Sequence, residues 1–185
     1  MMLKNTKEIF EILSRGGFIS HNSTDERRRR YYDLLEEDEQ QYAEYYSGIG
    51  FILEGGNGYY YFSRSEPRQV VQDKVERLAE FIDIVEFLKT YDPTFGVGYE
   101  FIRSDLQARM ASDIELREKA ERLYRDKHNH QEIVDKLIDR MRNLGFIELL
   151  SEVDASYRVT SAFNYIEELI NMISVAEEVK DEIPE

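Results

Sequence analysis

Three histidines and no cysteine set the first limit on what chemistry this chain can do. His128-x-His130 has the form of a ligand pair, but zinc sites take three or four protein ligands, and His21 is the only other histidine. The pair is expected in a solvated capping segment, with no metal bound. Without cysteine there is no disulfide framework, thiolate zinc site or cysteine nucleophile. Gly55-Gly56-Asn57-Gly58 lacks the Lys-Ser/Thr of a phosphate-binding loop and sits between strand-like runs rather than before a helix, so a hairpin turn is expected. No Gly-x-Ser-x-Gly or His-Glu-x-x-His signature occurs. Adjacent carboxylates are common, but with 34% of residues charged they read as a solvated face. The expectation is a protein that is not an enzyme and needs no cofactor.

Binding chemistry is better supplied. Arg27-Arg28-Arg29-Arg30 is the only dense basic run, suited to phosphate oxygens or an acidic partner. The competing reading is local neutralisation by Glu36-Glu37-Asp38-Glu39. A milder basic zone later in the chain includes Arg103, Lys127, His130, Lys136 and Arg140, with carboxylates interleaved. Arg27, Arg28, Arg30, Arg103, Lys127, His130, Lys136 and Arg140 are the candidate DNA contacts. The 38 acidic residues exceed the 24 Lys plus Arg, a net charge of −14, so nucleic-acid contact must be local, and Glu132 and Asp135 argue against base reading. Tyrosines are dense around one hairpin: Tyr42, Tyr45, Tyr46, Tyr59, Tyr60 and Tyr61. Alternation sends Tyr60 and Phe62 to one side and Tyr59 and Tyr61 to the other. One side is expected in the core and the other at an interface.

These residues need elements to position them. Residues 6–13 carry Ile9, Ile12 and Leu13 on one helical face, closed by Gly16-Gly17. Phe18-Ile19-Ser20 offers a brief extended stretch, and residues 25–46 read as one long or two broken helices. Residues 51–62 form a glycine-tipped hairpin. Ser65-Glu66-Pro67 is the expected linker. Residues 68–91 are the clearest helix; Tyr99-Glu100-Phe101-Ile102 a short strand; and Ser104 or Asp105 an N-cap for the helix carrying Leu106 and Met110. Asn129-x-x-Glu132 opens a helix through Leu144 that Gly145 ends. Phe146-Ile147-Glu148-Leu149-Leu150 and Tyr157-Arg158-Val159-Thr160 make a second hairpin, and Ser161 caps a last helix with the stripe Phe163, Ile166, Ile170 and Ile173. Helices, a glycine, Phe-Ile opening a hairpin and an aromatic return strand occur twice. The expected fold is α+β, mainly helical, with two tandem winged-helix domains, each with a small antiparallel hairpin wing. The expected divisions are 1–66, 67–176 and an acidic tail, 177–185.

Residues 46–62, the long helix after Pro67, Asp139-Arg140-Met141-Arg142-Asn143-Leu144-Gly145-Phe146-Ile147 and the return strand Tyr157-Arg158-Val159-Thr160 together resemble the MukE/MksE family. These are tandem winged-helix accessory subunits of bacterial condensins, and the chain looks closer to MksE. The resemblance implies a non-catalytic homodimer that clasps a kleisin, which bridges the ATPase heads of an SMC-like protein, in chromosome organisation and segregation. The expected partner surface comprises Tyr45, Tyr46, Tyr59, Tyr61, Phe163, Ile166 and Ile170. Two alternatives stay open: a tandem winged-helix transcription regulator, and a condensin-like component of a plasmid or phage defence system. With neither a signal-peptide-like start nor an apolar run near the roughly 18 residues that span a bilayer, a cytoplasmic, nucleoid-associated protein is expected.

Overall fold

In a computed structural model the described residues are 3–63, 70–124 and 129–181, the side chains of 70–77 and 173–181 excepted. The expected linker Ser65-Glu66-Pro67, Lys127 and the end of the acidic tail fall outside them. The elements in chain order are α1 (Thr6–Leu13), β1 (Ile19–Ser20), α2 (Glu26–Glu37), α3 (Glu39–Ser47), β2 (Ile52–Gly56), β3 (Tyr59–Ser63) and α4 (Val70–Tyr91). There follow β4 (Glu100–Ile102), α5 (Arg103–Ser112), α6 (Ile114–Leu123), α7 (His130–Leu144), β5 (Ile147–Ser151), β6 (Ser156–Val159) and α8 (Phe163–Asp181). The chain is mainly helical α+β, as its patterning predicts. Among the described residues no helix is long and apolar enough to cross a membrane.

The best-marked helix is α7. It buries Ile133, Val134, Leu137, Ile138 and Met141 at helical spacing. Asn129 starts it by accepting the Gln131 N–H at 2.9 Å. Gly145, at φ 79°, ends it: its N–H donates to the Arg142 carbonyl while the Phe146 N–H donates to that of Met141. Residues 25–46 resolve into two helices that break at Asp38, whose φ −126° and ψ 33° are not helical. The helix α6, absent from the sequence reading, is capped by Asp113, which accepts the Leu116 N–H at 3.2 Å. Two expected caps are corrected. The chain passes from β4 directly into α5 through an extended Ile102, so neither Ser104 nor Asp105 caps it. The Ser161 hydroxyl instead donates to the Gly58 carbonyl.

Each half of the chain builds a three-stranded antiparallel sheet whose last strand lies in the middle, in the orders β1-β3-β2 and β4-β6-β5. In the first, Tyr60 pairs with Ile19 on one side and Gly55 on the other. In the second, Arg158 pairs with Glu100 and Glu148. A small core gathers Ile9, Leu13, Ile19, Leu35, Tyr42, Tyr46 and Tyr60. A larger one is built on α4 to α8 and β4 to β6, yet it also takes in Phe18 and Tyr59 from the first half. The first sheet therefore lies between two cores, with alternate residues of β3 serving each.

Candidate functional site

The first hairpin reaches the second half at its tip. Gly58, at φ 81°, turns the chain, and a Cβ there would lie 2.5 Å from His21 Nδ1 and 3.1 Å from Ser161 Cβ. A Cβ at Gly56 would lie 2.0 Å from the Tyr59 ring, so only glycine leaves that ring room. Tyr59 then extends across to donate its hydroxyl to Glu168 at 2.6 Å. Burial, followed by that bond, raises the Tyr59 phenol above its ordinary range. Phe18 packs against Tyr59, Tyr61, Phe146 and Tyr165 at centroid distances of 5.2 to 5.8 Å. Polar bonds close the rim: Asn22 donates to the Val159 carbonyl at 3.1 Å and accepts the Ser161 N–H at 2.7 Å.

Glu148, on β5, makes a second clasp with the segment leading into α2. It accepts the Ser23 hydroxyl at 2.7 Å, the Thr24 N–H at 2.5 Å and the Thr24 hydroxyl at 3.0 Å, with Arg28 at 3.4 Å. One carboxylate from the second half thus satisfies polar groups of the two residues before the Asp25 cap of α2.

This placement corrects the expected exposure of most of the aromatic and apolar candidates. Tyr59 is 2% exposed, and Tyr46, Phe163 and Ile166 are fully buried. Tyr46 donates to the Thr6 carbonyl at 2.9 Å from inside the small core. Tyr61 and Ile170 pack half-buried against the larger core. The aromatic excess around the hairpin goes into an intramolecular seam. Of these candidates Tyr45 is the exposed one, at 50%, with its ring edge-on to that of the buried Tyr46 at 5.2 Å. It is joined by two residues the sequence reading missed, Ile49 at 54% and Ile52 at 47% exposure, beside and on the outer strand β2. A large aliphatic between Gly48 and Gly50, with no helix or strand face to bury it, was the available signal.

The basic candidates are placed as follows. Arg27 is exposed and lies 3.7 Å from Asp25, Arg28 approaches Glu148, and Arg30 is exposed. The expected neutralisation of the run by residues 36–39 is replaced by Asp25, Glu26 and Glu148, because the acidic stretch follows two turns further along α2. Arg103 lies 2.6 Å from Asp135, and Arg140 makes a bidentate bond to Glu80 at 2.7 and 2.8 Å. Lys136 sits 4.4 Å over the Tyr124 ring, and His130 is half-buried at the first position of α7. The structure does not bring these groups together into one basic face: carboxylates hold Arg103 and Arg140, and Glu132 and Asp135 flank the tip of α7.

A search of curated proteins finds no match. A family model described as condensin complex protein MksE matches residues 4–170.

Proposed function

Because that match spans nearly the whole chain, the chain belongs to the MksE family of condensin complex proteins, and from this premise we propose that it is a non-catalytic accessory subunit. It works as a homodimer that holds a kleisin, through which it joins an SMC-like ATPase in organising and segregating the chromosome in the cytoplasm. The match over residues 4–170 carries this reading. The repeated sheet order supports its architecture, two tandem winged-helix domains at 1–66 and 67–176 with 177–185 as a tail, since a hairpin returning to the middle of a three-stranded sheet after helices is the wing arrangement. Tyr45, Ile49 and Ile52 offer exposed apolar surface at an outer strand, the type of edge on which another chain adds. With Arg103 and Arg140 held by carboxylates, DNA contact is weak and independent of sequence, in the micromolar or weaker range at physiological salt.

The test is co-purification with the kleisin encoded by a neighbouring reading frame, read by light scattering. Two copies per kleisin are expected, and Ile52→Lys should weaken assembly by about tenfold, roughly 1.4 kcal/mol. A wild-type protein that stays monomeric and captures no kleisin overturns the proposal. A nanomolar, sequence-selective duplex complex would do so in favour of a transcription regulator.

A further inference from the structure

A cleft of about 380 Å³ opens between α1, the start of α2 and the end of α7, so both halves of the chain wall it. Its cations are Arg15, Arg27, Arg28 and Arg142. Arg28 is engaged by Glu148 and Arg27 lies beside Asp25, at 3.4 and 3.7 Å. Arg15 and Arg142 have no carboxylate within 4.0 Å among the described residues. The Arg142 guanidinium rests 6.0 Å from the Tyr157 ring centre, which steadies it without cancelling its charge. On a chain of net charge −14, Arg15 and Arg142 are two cations of one cleft without a carboxylate in ion-pair reach, and with Glu8 and Glu11 in the same lining the cleft is charge-balanced rather than acidic.

The remaining walls restrict the ligand. Ile12, Phe18 and Tyr31 contribute apolar surface. Glu8 and Glu11 stand on the α1 side and would oppose a uniformly charged strand. A duplex cannot enter a cleft of this volume. An extended peptide can, provided that its carboxylates face the two arginines, whose guanidinium forks match carboxylate geometry. Long-range repulsion from the acidic surface is screened beyond roughly 8 Å at physiological salt, so the encounter is decided within the cleft, by Arg15 and Arg142 against Glu8 and Glu11.

We propose that this cleft seats an extended acidic segment of the partner protein, with its carboxylates on Arg15 and Arg142. The identity of that partner rests on the condensin reading above; the chemistry of the cleft does not. Because the walls come from both halves, the segment binds only while the seam between them is closed.

The experiment titrates the full chain with short labelled peptides of alternating Glu and Ser, or Gln and Ser, and with a labelled duplex. The acidic peptide should bind about tenfold or more tighter than its Gln counterpart. Arg15→Glu with Arg142→Glu should remove that preference, and Arg122→Glu, on an exposed arginine of α6 outside the cleft, should leave it within about twofold. Both cleft arginines are exposed, so the double variant should unfold like the wild type. Equal binding of the two peptides, an unaffected double variant, an equal loss in Arg122→Glu, or displacement of the peptide by the duplex overturns the proposal. A double variant that still captures the kleisin as the wild type does defeats the cleft and leaves the condensin reading intact. A wild type that captures no kleisin defeats that reading, while the peptide titration still decides the cleft.

Discussion

In the first sheet, the central strand β3 sends Tyr60 into the small core and Tyr59 into the large one. In the second, β6 sends Tyr157 and Val159 inward and turns Arg158 out to Glu100, 2.7 Å away on β4. The two sheets share one strand order, yet the first is a layer between two cores, whereas the second has one core face and one charged face of Glu100, Arg158 and Glu148, open at Glu100 and clasped to the first half at Glu148. A strand with aromatics on both faces is built to be covered twice. Which chain supplies the second cover is a tertiary fact: here it is the same chain, through Phe18, Phe146, Tyr165 and α8.

Alkali should separate the two sheets most strongly. Burial raises the phenols of Tyr59, Tyr60 and Tyr61, the last to about 12. A folded value above the unfolded one means that the stabilisation is complete below the ordinary tyrosine range near 10 and is lost as pH climbs through the folded values. Tyrosinate absorbance from this strand should therefore rise together with loss of helical circular dichroism. Ionisation of all tyrosines near pH 10, with the helices intact, would show that β3 is open to water.

Next in size is Tyr59→Ala, which should cost about 3–5 kcal/mol by denaturant unfolding, the range for deleting a buried aromatic. Tyr45→Ala should stay within about 0.5 kcal/mol, as at other exposed positions. Equal costs would erase the distinction between seam and surface.

Glu148→Ala removes the clasp on Ser23 and Thr24 and should cost about 1–3 kcal/mol, the penalty for stranding partly buried donors. Faster hydrogen exchange at the Thr24 amide is the local readout, and unchanged exchange there would mean that the bond does not hold in solution. The smallest effect belongs to the open, Glu100 side of the second sheet: Arg158→Ala should cost no more than about 1 kcal/mol, as for other exposed ion pairs. A larger loss would mean that this face is covered after all.

Local structure was legible wherever periodicity and stop signals agreed. Residues 6–13, both hairpins and the helix from Asn129 to Gly145 lie where spacing, caps and glycines put them. The segment 114–123 was not, because its few apolar residues, Ile114, Leu116, Ala120 and Leu123, are diluted by charge and its cap, Asp113, is one acid among many. The alternation of Tyr59 and Tyr61 against Tyr60 and Phe62 was read correctly, but the cover on the first pair was assigned to another protein. Nothing local marks Glu148 as the residue that reaches Ser23, since that bond joins positions 125 apart. The arginine run likewise announced positive charge without its partners, which depend on how the two halves meet.

The seam has a consequence for how the chain is made. The Tyr59 hydroxyl waits for Glu168, 109 positions later, and the Ser20 side chain for the Ala162 N–H, 142 positions later. At synthesis rates of roughly 5–20 residues per second, the aromatic side of the first hairpin emerges on the order of ten seconds before its cover exists. Loop closure over such separations makes these contacts late ones in refolding as well. Pulse-labelled hydrogen exchange should protect the α7 amides before that of Ser161, which Asn22 holds across the seam; simultaneous protection would mean that the halves condense together. During that interval Phe18, Tyr59 and Tyr61 face solvent as a sticky aromatic surface, so the newborn first half is the stage at which this otherwise highly charged protein is most exposed to aggregation.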